Sequence, residues 1–418
     1  MVTVSSGRIA AAVAVAAAAA AAVFVPPVLV ALADQLAAAA GHMHIDKAGR
    51  LQQWAASRPL NNGACVVETA ANACEDVVVH AASSTVFAAC GDPRGRAHWY
   101  PPAGQRDARG RLAVGSSFRE TLFKHDLQSG VTTELRIEGV EGDFVTHGVD
   151  IWSPPDDPST IHIFAVRHTR TGDSVSIFSH KLGTDTVVLV RDVRHPNIKT
   201  ANGVAAVGLF EFYVTNDHYF FSDPWRTLEE HFGPWTWATN VQYCDAASEA
   251  SLDCDVPEPS TTTVCKTVVG PFPAANGIAV WEDRLFVGDS QNGTLRVFQQ
   301  RADHDVEYLS QVELGAAADN IKIDPSTGDL IVAVFPTVEN LPAYLANVDK
   351  LGKELRVPAA TLRLPKASDY APELLYFDDG GVLSDMTAMA LDPVNNVLVG
   401  AAVLQYGGFA VCKMGHSK

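Results

Sequence analysis

The sequence predicts an all-β protein, a six-bladed β-propeller preceded by an N-terminal apolar helix. From residue 65 onward, about twenty short runs rich in Val, Ile, Phe and Thr are separated by turns of Gly, Asp, Asn and Pro, which is typical of many short strands. A weak internal repeat, in which a polar residue opens an apolar strand followed by a turn and a second strand, occurs six times and fits six blades. We find no helical periodicity after residue 50.

The N-terminal segment predicts entry into the secretory pathway. Residues 9–25 carry no polar side chain and are followed by two prolines, which kink or end a helix. About twenty apolar residues can span a bilayer, so residues 1–41 are interpreted as a signal peptide or an uncleaved signal anchor. Residues 42–64 are then a polar linker, and residues 65–418 form the propeller, secreted or anchored on the lumenal or extracellular side. The Asn-Gly-Thr sequon at Asn292 predicts N-glycosylation there.

The composition excludes two classes of protein. Hydrophobic residues are 47% and charged residues 19% of the chain, so apolar material for a core is ample and the chain is not disordered as a whole. A formal net charge of −17 repels phosphate backbones and argues against a nucleic-acid partner. The same acidity suits a protein that binds cations.

The repeat places polar residues at equivalent positions in five of its units. In a propeller, the residue that opens each innermost strand points into the central channel. The residues at these openings are Glu75, His147, Asn202, Asn276 and Asp319 or Asn320. Carboxylate and amide oxygens together favour Ca²⁺ over zinc or copper. Asn and Asp also begin strands as ordinary turn residues, but their convergence at equivalent positions favours a calcium site.

The seven cysteines predict disulfides. No pair has the CxxC spacing of a zinc site, and disulfides are expected in a secretory protein. Cys65 and Cys412 bracket the globular region, where a bridge would tie the first strand to the last. The odd count leaves at least one free thiol or an intermolecular bond. The pairing of the remaining cysteines stays open: Cys74, Cys90, Cys244, Cys254 and Cys265.

A series of short motifs between about residues 65 and 412 resembles the paraoxonases, a family of six-bladed propellers with lactonase and arylesterase activity. The most specific motif is Phe-Tyr-Val-Thr-Asn-Asp-His-Tyr-Phe at residues 212–220. The other motifs follow in the family's order, at residues 75–76, 144–148, 166–168, 193–195, 205–208, 275–278, 319–321, 324–325 and 327–330.

The resemblance implies a specific site. It implies that one catalytic calcium ion is held by Glu75, Asn202, Asn276, Asp319 and Asn320. It also implies that His147 and His168 form a dyad above the metal, and that Cys65 is bonded to Cys412. The family keeps its apolar N-terminus, which favours the membrane anchor over a cleaved signal.

These residue types fit the hydrolysis of small lactones and aryl esters. A calcium ion polarises the carbonyl and stabilises the oxyanion. His147 is expected to take a proton from the attacking water, while His168 orients it and moves the proton on. Asp217 and His218 are expected to line the pocket. The sequence contains no GxSxG elbow and no P-loop, which argues against a serine hydrolase or an NTPase.

The sequence departs from the family pattern at two places. The resemblance implies a second, structural calcium ion held by Asp76, the carbonyl of Val149 and an Asp at a position where this chain has Gly203, so this second site is in doubt. The family's free cysteine and the histidine after it fall on Val334 and Phe335, so the pocket is altered and phosphotriester hydrolysis is not assumed.

Two alternative functions stay open. A gluconolactonase-like or strictosidine-synthase-like propeller would share the fold, the former with a similar metal group and the latter without a calcium set. A non-catalytic, membrane-tethered binding propeller is also compatible with the fold, because propellers often serve as interaction platforms.

Overall fold

The computed structural model describes residues 57–106, 118–233, 235, 237–247, 263–337 and 341–415. Within these ranges the chain is a six-bladed β-propeller, so the predicted fold class is confirmed. The predicted signal segment at residues 1–41 and most of the predicted linker lie outside the described residues. Among the helices of the described ranges, none is long and apolar enough to cross a membrane.

The first strand of the chain is β1 (Cys65–Glu68), and the blades follow in chain order with the innermost strand first. Blade 1 contains β2 (Cys74–His80), β3 (Thr85–Cys90), β6 (Thr121–Asp126) and β7 (Val131–Glu134). A separate hairpin consists of β4 (Trp99–Tyr100) and β5 (Gln105–Arg106). Blade 2 contains β9 (Val145–Trp152), β10 (Thr160–Thr169), β11 (Gly172–Lys181), β12 (Thr186–Val193) and, parallel to β12, β8 (Arg136–Glu138).

The remaining four blades are four-stranded sheets. Blade 3 contains β13 (Ala201–Ala206), β14 (Glu211–Asn216), β15 (Thr239–Asp245) and β16 (Val264–Phe272). Blade 4 contains β17 (Ala275–Trp281), β18 (Arg284–Asp289), β19 (Thr294–Gln300) and β20 (Val306–Glu313). Blade 5 contains β21 (Ala317–Ile323), β22 (Leu330–Phe335), β23 (Ala359–Leu364) and β24 (Glu373–Asp378). Blade 6 contains β25 (Met386–Asp392), β26 (Val397–Ala402), β27 (Phe409–Lys413) and β1.

The ring is closed by the first and last strands of the described chain. Strand β1 pairs antiparallel with β27 and forms the outer edge of blade 6, so both ends of the propeller meet in one sheet. Cys65 lies opposite Cys412 in this pairing, and a disulfide joins them across 347 residues of sequence. This is the pair that the resemblance implied.

Two further disulfides lie within single blades. They join neighbouring strands of blade 1 (Cys74–Cys90) and of blade 3 (Cys244–Cys265), and so answer most of the pairing question that the sequence leaves open. Cys254 lies outside the described residues. Three disulfides fit an oxidising compartment.

Six clusters of the hydrophobic core lie one between each pair of adjacent blades, and a seventh includes Trp99 and Tyr100 of the separate hairpin. Successive side chains of a strand point to opposite faces of its sheet, so one strand serves two clusters. In β3, Phe87 and Ala89 face blade 2, whereas Val86 and Ala88 face blade 6. Both faces are buried, which explains why these strands are continuous apolar runs rather than alternating ones.

The loops contain a few short helices, although the sequence shows no helical periodicity after residue 50. Short α-helices lie at Pro93–Arg96, Trp225–Phe232 and Leu341–Ala346. Such segments are one or two turns long, too short to show a helical period. The longest connection in blade 3, between β14 and β15, contains the helix at Trp225–Phe232.

Candidate active site

The candidate site lies where the innermost strands begin. The strands β2, β9, β13, β17, β21 and β25 contact one another in this order around the central channel. The predicted residues occupy the first four positions of five of these strands, which confines them to one end of the channel. Because each residue comes from a different part of the sequence, only closure of the ring assembles the site.

Three blades meet directly at Glu75. Its Oε1 atom accepts a hydrogen bond from Asn320 Nδ2 at 2.7 Å and lies 3.4 Å from His147 Nε2. All three side chains are buried. Asn276, from blade 4, hydrogen-bonds the side chain of Asp319 on β21. The structure therefore brings the residues of blades 1, 2, 4 and 5 into one polar group.

Three side-chain oxygens of the predicted ligand residues are buried and have no hydrogen-bond partner. They are Glu75 Oε2, Asn202 Oδ1 and Asn276 Oδ1, from three different blades. Leaving a buried acceptor unpaired costs about 1–3 kcal/mol for each group, so such atoms need a partner that is not a protein group. A hard cation satisfies carboxylate and amide oxygens together.

The donor set also limits the kind of metal. In the part of the chain that the structure describes, no group of three or more His, Cys, Asp or Glu side chains is arranged to hold a metal ion. A cation at the channel therefore depends on the amide oxygens of asparagines. Oxygen-only coordination of this type is suited to calcium and unsuited to zinc or copper.

The electrostatics of the channel favour a cation. Burial raises the pKa of Asp319 well above its ordinary value, and the charges of Glu75 and Asp385 raise it further. Burial would also raise the pKa of Glu75, but the charge of His147 and hydrogen bonds from His147 and Asn320 lower it on balance. Glu75 and Asp319 thus lie in one site. Without additional positive charge, only one of these two carboxyl groups ionises readily.

The two predicted catalytic histidines are adjacent. His147 Nδ1 and His168 Nε2 are 3.0 Å apart, within hydrogen-bond distance, and both rings are buried. His168 Nδ1 lies 2.9 Å from Asp173 Oδ1, in a contact that is poorly aligned for a hydrogen bond. Burial lowers the pKa of His147, but the charge and hydrogen bond of Glu75 outweigh it, so the pKa is raised.

Asp217 and His218, expected to line the pocket, lie behind Asn202. Asp217 Oδ2 accepts a hydrogen bond from Asn202 Nδ2 at 3.2 Å, and its Oδ1 contacts His218 Nδ1 at 2.8 Å. Burial opposes ionisation of Asp217, but the charges of His218 and Arg226 and the His218 hydrogen bond lower its pKa. The carboxylate thereby fixes which atom of the Asn202 amide is the unpaired one.

A cleft of about 550 Å³ adjoins the dyad at Asp173. Its lining combines basic and aromatic side chains, including Arg194, His195, Lys199, Tyr219 and Phe220. Neither histidine of the dyad lines it, so the cleft is a neighbour of the channel and not the channel itself.

The family model for arylesterases matches residues 112–406. The chain belongs to the arylesterase (paraoxonase) family. It is 29% identical over 242 residues to serum paraoxonase/arylesterase 2 of Rattus norvegicus, a match that covers 57% of this chain and 61% of that protein. It is 24% identical over 259 residues to serum paraoxonase/lactonase 3 of Homo sapiens, covering 62% of this chain and 66% of that protein. These matches thus span less than two thirds of the relatives' own length.

The resemblance drawn from the sequence motifs is therefore confirmed at the level of the arylesterase family. Among solved structures, the periplasmic gluconolactonase of Pseudomonas aeruginosa is similar with a TM-score of 0.43 and 12% identity, covering 82% of this chain and 85% of that chain. A likeness this distant carries no information on activity.

Two parts of the candidate site were missed in the sequence analysis. Asp173 lies directly opposite His168 in the pairing of β10 with β11, five residues further along the chain. The spacing of five residues between His168 and Asp173, across a turn, could have indicated this contact in the sequence. The second part is the hairpin residue Tyr100, whose ring centre lies 5.8 Å from that of His147 and 6.3 Å from that of His168.

A buried ion pair fixes the backbone next to His147. Arg96 contacts Glu120 through two nitrogen–oxygen pairs at 2.7 Å. Arg96 also donates to the carbonyl of Thr146 at 3.2 Å, while Glu120 accepts from the Thr146 N–H at 2.8 Å. The guanidinium lies 4.4 Å from the centre of the Tyr100 ring. These contacts hold both the ring and the start of β9 against the dyad.

The predicted second metal site is organised differently. Lys322 Nζ lies 2.7 Å from Asp76 Oδ2 and 2.9 Å from the carbonyl oxygen of Val149. Gly203 supplies no side-chain ligand. The residues that the resemblance assigned to a second calcium ion are therefore in contact with an ammonium group.

Asn292, the predicted glycosylation site, is exposed in the turn between β18 and β19. Its Nδ2 atom donates to Asp289 Oδ2 at 2.9 Å. Glycosylation there stays a prediction.

Proposed function

We propose that this arylesterase-family chain is a calcium-dependent hydrolase of lactones and aryl esters. The observation that carries the proposal is the position of three unpaired buried oxygens beside a pair of hydrogen-bonded histidines. Glu75, Asn202 and Asn276 would hold the ion through these atoms, with Asp319 and Asn320 completing the ligand set. The names of the relatives, which include arylesterase and lactonase, support the same reaction class.

The surrounding residues orient the ligands. Asn320 Nδ2 binds one carboxylate oxygen of Glu75 and leaves the other free. Asp217 binds the nitrogen of the Asn202 amide and leaves its oxygen free. When bound, the calcium ion would polarise the substrate carbonyl and stabilise the negative charge that develops on its oxygen. Preorganised oxygens of this kind need no rearrangement to bind the ion.

The contacts of the histidines bear on which of their ring nitrogens carries a proton. The carboxylate of Asp173 beside Nδ1 of His168 favours a proton on that nitrogen, because its negative charge stabilises the N–H group. His168 Nε2 then accepts from His147 Nδ1–H. His147 Nε2 faces Glu75, whose carboxylate favours a proton there as well, so the lone pair that a base needs would become available when a bound cation neutralises Glu75. His147 Nε2 is positioned to take a proton from water, and His168 stabilises the resulting charge.

The cleft beside Asp173 is proposed to hold the part of the substrate away from the reacting carbonyl. Tyr219 and Phe220 offer aromatic contact for an aryl or acyl group, and Arg194 and Lys199 offer positive charge. We also propose that the propeller works in the secretory pathway, secreted or anchored by residues 1–41, which its three disulfides support.

The test is a panel of lactones and aryl esters, assayed on the purified chain after EDTA treatment and after Ca²⁺ is added back. We expect activity to be lost with EDTA and restored by Ca²⁺. Asn276→Ala removes one unpaired oxygen and should raise the Ca²⁺ concentration for half-maximal activity on the order of tenfold or more. Asn347→Ala is the matched control, at a half-buried asparagine whose side chain bonds the carbonyl of Ala343 in the preceding helix. Full activity in EDTA would exclude the calcium-dependent mechanism.

A further inference from the structure

Lys322 occupies the channel below the candidate calcium site. It lies on β21, two residues after Asn320, and its side chain is 11% exposed. Its ammonium contacts Asp76 of blade 1 and the carbonyl of Val149 of blade 2, at 2.7 and 2.9 Å. One side chain of blade 5 thus joins two other blades across the channel.

The oxygens around Lys322 are already paired. Asp76 Oδ1 accepts from the N–H of Val77, and Asp76 Oδ2 accepts from the N–H of Val149, each at 2.8 Å. The neighbouring carboxylate of Asp150 accepts from the N–H of Ala206 at 2.8 Å. This is the opposite of the upper site, where oxygens of three ligands lack any partner. The oxygens of the upper site are free to bind a cation, whereas the oxygens around Lys322 already have partners.

The third position of a second cation site, at Gly203, supplies no side-chain ligand and has little room for one. A Cβ atom on Gly203 would lie 3.0 Å from the carbonyl oxygen of Asn276 and 3.1 Å from the Cγ2 atom of Ile278. A calcium ion needs six to eight oxygens. Asp76 and Val149 alone cannot supply that number.

Lys322 offsets one of the two carboxylate charges beside it without a metal. Asp76 and Asp150 both interact electrostatically with the ammonium. An uncompensated buried carboxylate is strongly destabilising, whereas a paired one is tolerated. A lysine is covalently part of the chain, so this compensation does not depend on the concentration of any ion.

We propose that the Lys322 ammonium takes the place of a second cation, so that this chain binds one divalent ion and stabilises the lower channel without calcium. The count of one rests on the proposed function for the upper site, whereas the role of Lys322 does not. A chelator should then remove activity while leaving the lower channel intact.

The first measurement is the calcium content of the wild-type chain, by native mass spectrometry or by elemental analysis after dialysis against micromolar Ca²⁺. We expect one ion per chain, falling to none in Asn276→Ala. Two ions per chain would overturn the proposal. This count needs no variant at Lys322, so it decides the matter even if such a variant does not fold.

The second measurement is thermal unfolding of Lys322→Met in EDTA. The substitution keeps the length of the side chain and removes its charge, at the edge of a cavity of about 230 Å³ that Lys322 lines. We expect the Tm to fall by about 5–10 °C, because Asp76 and Asp150 lose their cation. Lys124→Met is the matched control, since Lys124 also binds one carbonyl and one carboxylate, but the carboxylate of Asp185 is exposed.

The two measurements separate the possible failures. A wild-type chain without any calcium would refute the calcium-dependent function and leave Lys322 to be judged by unfolding alone. A Lys322→Met chain as stable in EDTA as the Lys124→Met control would refute the role of the lysine, whatever the calcium count.

Discussion

Replacing His147 by glutamine tests the assignment of the general base most directly. The imidazole contributes Nε2 toward the channel and Nδ1 toward His168, 3.0 Å away. Glutamine has a similar reach and can still form hydrogen bonds, but its amide cannot take up a proton near neutral pH. The substitution therefore removes proton transfer while disturbing the packing little.

The expected loss follows from the value of a positioned base. General bases contribute about 10²- to 10⁴-fold to a rate, equivalent to about 2.7–5.5 kcal/mol of barrier. We expect the lower end, a decrease in kcat of about a hundredfold, because the polarised carbonyl would still react slowly with water. Calcium affinity should change less than about threefold, since no unpaired ligand oxygen is lost.

The assay is steady-state hydrolysis of a lactone at saturating Ca²⁺, with calcium affinity measured separately. His180→Gln is the matched control, because His180 is a buried histidine of the same blade that bonds the carbonyl of Thr186 away from the channel. The double variant with His168→Gln should lose little more than His147→Gln alone, because residues that act as a unit are not additive. A His147→Gln enzyme with full lactonase activity would refute the dyad.

Two further predictions concern positioning and closure. Asp173→Asn, which removes the carboxylate 2.9 Å from His168 Nδ1, should lower kcat about tenfold or more and change its pH profile, with unchanged calcium content; an unaltered pH profile would contradict the tautomer assignment. Cys65→Ser combined with Cys412→Ser should lower the free energy of unfolding by several kcal/mol, roughly 2–5, in thermal or denaturant unfolding, because the bridge spans 347 residues; a Tm equal to that of the wild type would contradict this.

The fold was predictable because the six copies of the sequence repeat correspond to the six blades. Each unit places a polar residue at the channel and a fully apolar strand behind it, and the six interfaces between blades need that pattern on both faces of a strand. The helices at Trp225–Phe232 and Leu341–Ala346 were not predictable by period, because they have only eight and six residues, too few to show a helical period.

The candidate site was predictable only in part. Residues that open innermost strands, such as Glu75 and Asn276, are indicated by their place in the repeat. Asp173 depends on the register of a hairpin. Lys322 depends on the direction of a side chain toward two other blades, which sequence spacing does not define. The contacts that a site makes across the ring are therefore the part that needed the structure.

The absence of a carboxylate at Gly203 and the presence of an ammonium at Lys322 are related features of the channel. In this repeat a glycine follows several channel residues, and the next blade packs directly against it. A Cβ atom on Gly148 would lie 2.5 Å from the carbonyl oxygen of Asn202, and one on Gly277 would lie 2.1 Å from that of Asp319. Gly203 is packed less tightly against Asn276, at 3.0 Å, so a side chain there would require its neighbours to shift by a few tenths of an ångström. Without a carboxylate at position 203, less negative charge has to be offset in the lower channel, and Lys322 supplies a positive charge there.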